Sequence, residues 1–247
     1  MLKLILDDAK TFKDSLALVN ELINEGVFSF SKEGIKLVAM DSTSVSMVIF
    51  HLLPSVFSEY ALEKEFKVGL SIDQIRNVLK RITGTERVVI KISEEVFQIE
   101  IFGNHKKSFK LPILDLEKEP LRVPNLEFTS EIELNPDTLK DAVEDVAIIS
   151  DSITFHSIPN QFSLKSTSGT SQVEINLEPS TSQGLIKLDV KEESKAKYSV
   201  DYLIKMIKAN KISDTLLIGF KTDFPLKLEY ATTDKLRVTY ILAPMSG

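Results

Sequence analysis

Thr11-Phe-Lys-Asp-Ser-Leu16 recurs 127 residues later as Thr138-Leu-Lys-Asp-Ala-Val143, and Ser71-Ile-Asp73 recurs 128 residues later as Ser199-Val-Asp201. Two separate matches at nearly one offset mark a tandem duplication, and each matched stretch sits at or near the start of a helical pattern. In the window from Asp8 to Asn24, Phe12, Leu16, Val19 and Ile23 share one face, with Asp8 expected as N-cap. Ser71 to Thr83 places Ile72, Ile75, Leu79 and Ile82 inward, with Ser71 as cap and Gly84 as stop signal. Asn135 to Ile149 opens on Asn-Pro and carries Leu139, Val143 and Val146, while Ser199 to Lys211 carries Leu203, Met206 and Ile207 behind Ser199.

Between the helices the apolar period drops to two. Phe97, Ile99 and Ile101 alternate with Gln98 and Glu100, as do Val173, Ile175 and Leu177 with Glu174 and Asn176, and Leu226, Leu228 and Tyr230 with Lys227 and Glu229. Such alternation predicts antiparallel strands with one covered face. The fold class is therefore α+β: two repeated domains of antiparallel sheets with two helices each. Leu114 to Asn125, charged and broken by Pro120 and Pro124, suits an extended connector, whether a plain spacer or something more. The expected domains are residues 1–113 and 126–247, joined by 114–125.

Composition narrows the function. The 247 residues are 43% apolar and 27% charged, which excludes disorder, and no apolar run approaches the ~20 residues that cross a bilayer. The N-terminus lacks a basic-then-apolar leader, so an intracellular, non-membrane protein is expected. Zero cysteines exclude disulfides and thiol chemistry. His51, His105 and His156 stand apart, with no metal or triad spacing, and no glycine motif cradles a phosphate. The acidic clusters Glu63 to Glu65, Glu117 to Glu119 and Glu192 to Glu193 read as solvated charge. No catalytic residue, metal or cofactor is expected.

A charge pattern remains. Thirty Lys and Arg face 36 Asp and Glu, a net of −6, so any polyanion must meet a segregated face. Candidate bases stand on the polar faces of the helices: Lys10 and Lys13, then Arg76, Lys80 and Arg81, then Lys205, Lys208 and Lys211. Lys140 is nearly alone in the third helix, among Asp137, Asp141, Glu144 and Asp145, which weakens its reading as a phosphate contact.

Several stretches carry a family resemblance: Leu22-Ile-Asn-Glu25, Leu37-Val-Ala-Met-Asp-Ser-Thr-Ser-Val-Ser-Met-Val48, Leu53-Pro-Ser-Val-Phe-Ser-Glu-Tyr60, Val78-Leu-Lys-Arg81, Phe224-Pro-Leu226 and Tyr240-Ile-Leu-Ala-Pro244. In order and position the chain resembles the archaeal DNA sliding clamps related to proliferating cell nuclear antigen, over nearly its whole length. The resemblance implies a subunit of a closed trimeric ring lined by helices, encircling double-stranded DNA without reading its sequence. It also implies two further subunits, identical or paralogous, with Asn104 to Pro112 of one pairing with Thr170 to Leu177 of the next. Encirclement would let a net-acidic protein hold DNA through weak, exchangeable phosphate contacts.

Lys13, Lys80 and Lys208 match the family's inner bases; Lys10, Arg76, Arg81, Lys140, Lys205 and Lys211 are inferred from their faces. Partners implied are a clamp loader, and DNA polymerase, flap endonuclease and DNA ligase through short PIP-type peptides. Those peptides would enter a pocket of Met40, Ser44, Val45, Met47, Leu121, Val123, Pro124, Pro225, Ile241, Ala243 and Pro244, with Met47 expected to be exposed there. Ser44 stands where relatives often carry histidine or arginine. A cytoplasmic, nucleoid-associated protein of an archaeon is expected. The rivals are a duplicated α+β enzyme acting on a small molecule in an interdomain cleft and a scaffold ring that binds only peptides.

Overall fold

A computed structural model describes residues 1–84, 86–93, 95–116, 121–179 and 182–246. Pro120 and the preceding Glu117 to Glu119, the middle of the expected connector, lie outside them. The chain forms two compact units, Met1–Ser42 with Val48–Val123 and Thr233–Arg237, and Thr43–Met47 with Pro124–Thr232 and Val238–Gly247. Each unit thus takes in a short segment from the other half of the sequence, which the repeats alone do not announce.

The first unit runs β1 (Leu2–Leu6), α1 (Lys10–Asn20), β2 (Glu25–Ser31), β3 (Gly34–Met40), β4 (Ser46–Leu52), β5 (Glu59–Leu62), β6 (Phe66–Ser71), α2 (Ile72–Leu79), β7 (Arg87–Ile92), β8 (Val96–Phe102) and β9 (Lys106–Pro112). The second runs β10 (Ser130–Leu134), α3 (Pro136–Ala147), β11 (Ser152–Ile158), β12 (Gln161–Ser168), β13 (Ser171–Leu177), β14 (Leu185–Val190), β15 (Ser194–Ser199), α4 (Val200–Met206), β16 (Leu216–Phe220), β17 (Leu226–Thr232) and β18 (Leu236–Leu242). The order of elements is the same in both. So is the sheet order: β5-β1-β7-β8-β9 answers to β14-β10-β16-β17-β18, and β4-β3-β2-β6 to β13-β12-β11-β15. The expected α+β duplication is present, with antiparallel pairing throughout the registered ladders.

Helix limits are tighter than periodicity suggested. Ala9, not Asp8, occupies the N-cap position of α1, and the Asp8 carboxylate instead accepts the Lys10 N–H at 2.8 Å. Ser71 and Asn135 cap α2 and α3 through Gln74 N and Asp137 N, whereas Ser199 at the α4 cap position makes no such bond. After Met206 the fourth helix tightens into a 3-10 segment, Ile207–Ile212, the usual way a helix end satisfies its last carbonyls. Leu114 begins the connector with a bridge to Gly69, donating N–H to its carbonyl at 2.9 Å. A side chain at position 69 would strike the Leu114 carbonyl, so only glycine permits this approach.

The inward residues of each sheet build the cores. In the first unit Phe30 stacks on Phe66 at 5.0 Å. In the second, Phe155 meets Phe162, Tyr198 and Phe220 edge-on at 5.7, 5.2 and 5.9 Å. Each of these rings except the half-buried Phe66 contributes about 1.5–3 kcal/mol through burial.

Two polar groups in these cores lead to measurable expectations. The Tyr230 hydroxyl is fully buried without a hydrogen-bond partner among the described residues, and burial pushes its phenol far above the usual range. Tyr230→Phe removes an uncompensated desolvation and is expected to raise stability by about 1 kcal/mol, seen as a higher urea midpoint at unchanged slope. A loss of similar size would show that the hydroxyl has a partner. Glu100, its side chain 9% exposed, takes Lys106 at 2.8 Å and Lys91 at 3.2 Å, and the Lys106 hydrogen bond leads in holding its carboxyl below the usual range. A folded-state pKa below the unfolded one stabilises fully above about pH 4.3 and fades as pH falls through the lowered value. Glu100→Gln should cost about 1 kcal/mol at pH 7 and flatten the acid limb of a stability-against-pH curve. An unchanged acid limb would remove Glu100 from its causes.

Candidate functional site

In the first unit, α1 and α2 pack side by side, and one amide ties them. Asn20 Nδ2 donates to Asp73 Oδ1 at 2.8 Å and to the Ile23 carbonyl at 3.3 Å, while its Oδ1 accepts from Arg76 Nη1 at 3.1 Å. Arg76 also lies 3.9 Å from Glu21. Lys13 reaches across to the Ile82 carbonyl at 3.1 Å, holding the end of α2. Of the expected phosphate contacts here, Lys13 and Arg76 are therefore half-buried and serve the helix pair. Lys10, Lys80 and Arg81 are exposed, and Lys80 spends only a 3.3 Å bond on Asn77.

The second unit repeats the helix pair with other residues. Asn210 Nδ2 donates to Asp137 Oδ1 at 2.8 Å, joining the end of the fourth helical segment to the start of α3. Lys205, Lys208 and Lys211 are exposed, and the Lys205 ammonium lies 5.5 Å from the centre of the Tyr202 ring. Lys140 departs from the expectation of a free phosphate contact. Glu144, four residues on, and Asp141 each hold its ammonium at 3.2 Å, and those bonds, that of Glu144 first, raise its pKa. The reason is local spacing, and α3 is left with exposed Asp141, Glu144 and Asp145 around an engaged base.

The expected peptide-binding residues divide between the units. Within the second, residues 43–45 form the turn that leads into β4, with Ser44 exposed at φ 59°, and the Val45 carbonyl accepts the Ala243 N–H at 2.9 Å. Thr43 Oγ1 is 2.6 Å from Tyr202 Oη, which anchors the turn to α4. Pro225, Ala243 and Pro244 are half-buried, and Ile241 is buried. Met47 is a correction: expected to be exposed, it is 8% exposed, because Ser46, Met47 and Val48 are all covered at the start of β4. In the first unit, Met40, Leu121 and Val123 are exposed at 39%, 44% and 49%, and Pro124, which opens the second unit's stretch, is exposed too. Large apolar side chains left open at Leu121 and Val123, outside any helix or strand, are candidate anchors for a partner.

Sequence reading missed Asn20, Tyr202 and Asn210 because their partners lie 53, 159 and 73 residues away. No local pattern encodes such pairs. Among the described residues no group of three or more His, Cys, Asp or Glu is placed to hold a metal, and no helix is long and apolar enough to cross a membrane.

Comparisons with known proteins agree with this arrangement. The family model for the proliferating cell nuclear antigen N-terminal domain matches residues 1–120, and that for the C-terminal domain matches residues 122–245. The chain is 35% identical over 243 residues to DNA polymerase sliding clamp 1 of Thermococcus kodakarensis, covering 98% of this chain and 97% of the relative. It is 34% identical over 249 residues to the DNA polymerase sliding clamp of Nanoarchaeum equitans, covering 99% and 100%. The crystal structure of PCNA from Thermococcus kodakaraensis superposes with TM-score 0.90 at 28% identity, covering 99% of this chain and all of that one. The structure titled as the C-terminal region of FEN-1 bound to A. fulgidus PCNA gives 0.89 at 25% identity, covering 100% and 99%.

Proposed function

Because the chain belongs to the proliferating cell nuclear antigen family and is a DNA sliding clamp, we propose that three copies close a ring around duplex DNA and hold it by threading. It works by tethering, with no chemistry of its own. The observation that carries this reading is the repeated helix pair, whose exposed Lys10, Lys80, Arg81, Lys205, Lys208 and Lys211 stand on a chain of net charge −6. Such a chain repels DNA as a whole and needs only a receptive lining once it is threaded. Retention on a circular plasmid after loading, repeated after one double-strand cut, tests it. Release on linearisation is expected; binding indifferent to free ends would overturn it.

The strand edges support closure. β9 ends one sheet of the first unit and β13 ends one of the second, so each presents unpaired backbone groups. β9 carries Lys106, Lys107 and Lys110 without an acid, and β13 with its following residue carries Glu174 and Glu178 without a base. Phe109 and Leu111 are half-buried on one edge, as are Val173 and Ile175 on the other. Pairing β9 with β13 of the next copy sets apolar against apolar and base against acid, while either edge against itself repels. Pro112 ends the paired stretch, since it has no N–H to donate. Moreover α2 packs beside β9 and α3 beside β13. The same pairing therefore brings α2 of one copy toward the acidic α3 of the next. On this reading the acidic third helix serves the seam, and identical copies suffice for a head-to-tail ring.

Partner enzymes would dock on the Thr43–Met47 segment, Pro225 and the Ala243–Pro244 tail, all within the second unit, while Leu121 and Val123 are separate candidate anchors in the first. DNA polymerase and flap endonuclease fit the names of the relatives, DNA ligase the family, and an ATP-driven loader would open the ring. The cytoplasm of an archaeal cell, on its nucleoid, is the corresponding place.

A further inference from the structure

The outward face of the β13-β12-β11-β15 sheet holds an open, concave surface of about 450 Å3 lined by Thr154, His156, Lys165, Thr167, Lys195 and Lys197, among others. The ladders explain this grouping. Thr154 pairs with Lys165 on one side and Lys197 on the other, and His156 pairs with Lys195. Alternate residues of a strand share a face, so these side chains point outward together while Ile153, Phe155 and Leu164 enter the core. Two carboxylates answer part of the charge: Glu174 takes Lys165 at 2.9 Å, and Glu193 takes His156 at 2.8 Å. Lys195 and Lys197 make no ion pair among the described residues.

We propose that this sheet face is a second anion site, separate from the helices, that takes the phosphate backbone of a single DNA strand. Ammonium, hydroxyl and amide donors from Lys195, Lys197, Thr154, Thr167 and Gln172 suit phosphate oxygens. Lys195 and Lys197, two residues apart on β15, lie about 7 Å apart along the strand, a step comparable to that between successive phosphates of an extended chain. Among the described residues the lining has no Phe, Tyr or Trp, and its one imidazole, that of His156, is held by Glu193 at 2.8 Å, so recognition stops at the backbone and is blind to sequence. It also has no large apolar side chain, which an acidic peptide would need as an anchor. The site goes beyond encirclement and does not depend on it: a strand leaving the threaded duplex could be held on a sheet face while the duplex passes the helices.

Fluorescence anisotropy with a labelled oligothymidylate of about 20 nucleotides tests the site. Lys195→Glu combined with Lys197→Glu is expected to weaken binding roughly tenfold or more and to lower the salt slope by about 1.4, two single-strand contacts. Lys195→Arg with Lys197→Arg should retain binding, which separates charge from damage to the fold. Lys80→Glu with Lys208→Glu should lower retention on a circular duplex yet leave oligothymidylate binding in place, so failure of the ring reading and of this one stay distinguishable. Unchanged affinity in the β15 reversal, equal loss in the arginine variant, or transfer of the effect from oligothymidylate to a polyglutamate probe would each overturn the proposal.

Discussion

Replacing Lys80, Lys208 and Lys211 by glutamate is expected to cut DNA-dependent stimulation of a partner polymerase at least tenfold while leaving peptide binding intact. These three are chosen over Lys13 because the Lys13 ammonium holds the Ile82 carbonyl at 3.1 Å, and its loss would loosen α2 as well as remove a charge. All three are exposed, so reversal disturbs no core. In a ring of three, each change counts three times, and each phosphate no longer neutralised by a lysine lowers the salt slope by about 0.9. Retention on circular plasmid should therefore shorten and depend less steeply on salt, while calorimetric binding of a partner peptide should match the wild type. Stimulation at the wild-type level would mean that these helix faces do not line the DNA path.

The second large effect belongs to the seam. Lys107→Glu with Lys110→Glu places acids on β9 where the neighbouring β13 offers Glu174, and the assembly is expected to fall to monomers by light scattering at micromolar concentration. Lys110 makes no ion pair among the described residues, and Lys107 lies only 3.7 Å from Glu86, so the monomer itself should stay folded by circular dichroism. Like charges across a strand pair destabilise by a few tenths to about 1 kcal/mol each, and closure repeats the penalty at three seams. The decisive arm is rescue: Glu174→Lys together with Glu178→Lys in the reversed chain should restore the trimer. A reversed chain that remains trimeric would place the subunit contact elsewhere. A chain that is monomeric even before reversal would require a different partner chain for the ring.

The fold was largely legible because its information is local and repeated. Period-two and helical stripes mark strands and helices wherever a face must be buried, and a duplicated stripe pattern announces two units of one plan. The connector was expected for the opposite reason, since charge and proline deny it a face to bury, and its middle lies outside the described residues. The bases of α1, α2 and α4 could be found from the sequence as exposed positions on amphipathic helices, but their availability could not. Lys13 and Lys140 occupy equivalent places in the two repeats, yet one braces a neighbouring helix at Ile82 and the other is taken up by Glu144 and Asp141. The same holds for Met47, which the family resemblance placed at the surface and packing covered.

Sequence alone thus determined the duplicated α+β plan, the positions of the four helices, the net charge that forbids simple DNA affinity, and the family. Tertiary structure alone decided that Lys13 and Lys140 are already engaged, that Thr43–Met47 joins the second unit, and that Lys195 and Lys197 share an open face with Lys165 and His156. The division has one cause: burial is written in each element's own periodicity, whereas a charge is free or engaged according to residues brought close only when distant strands and helices pack.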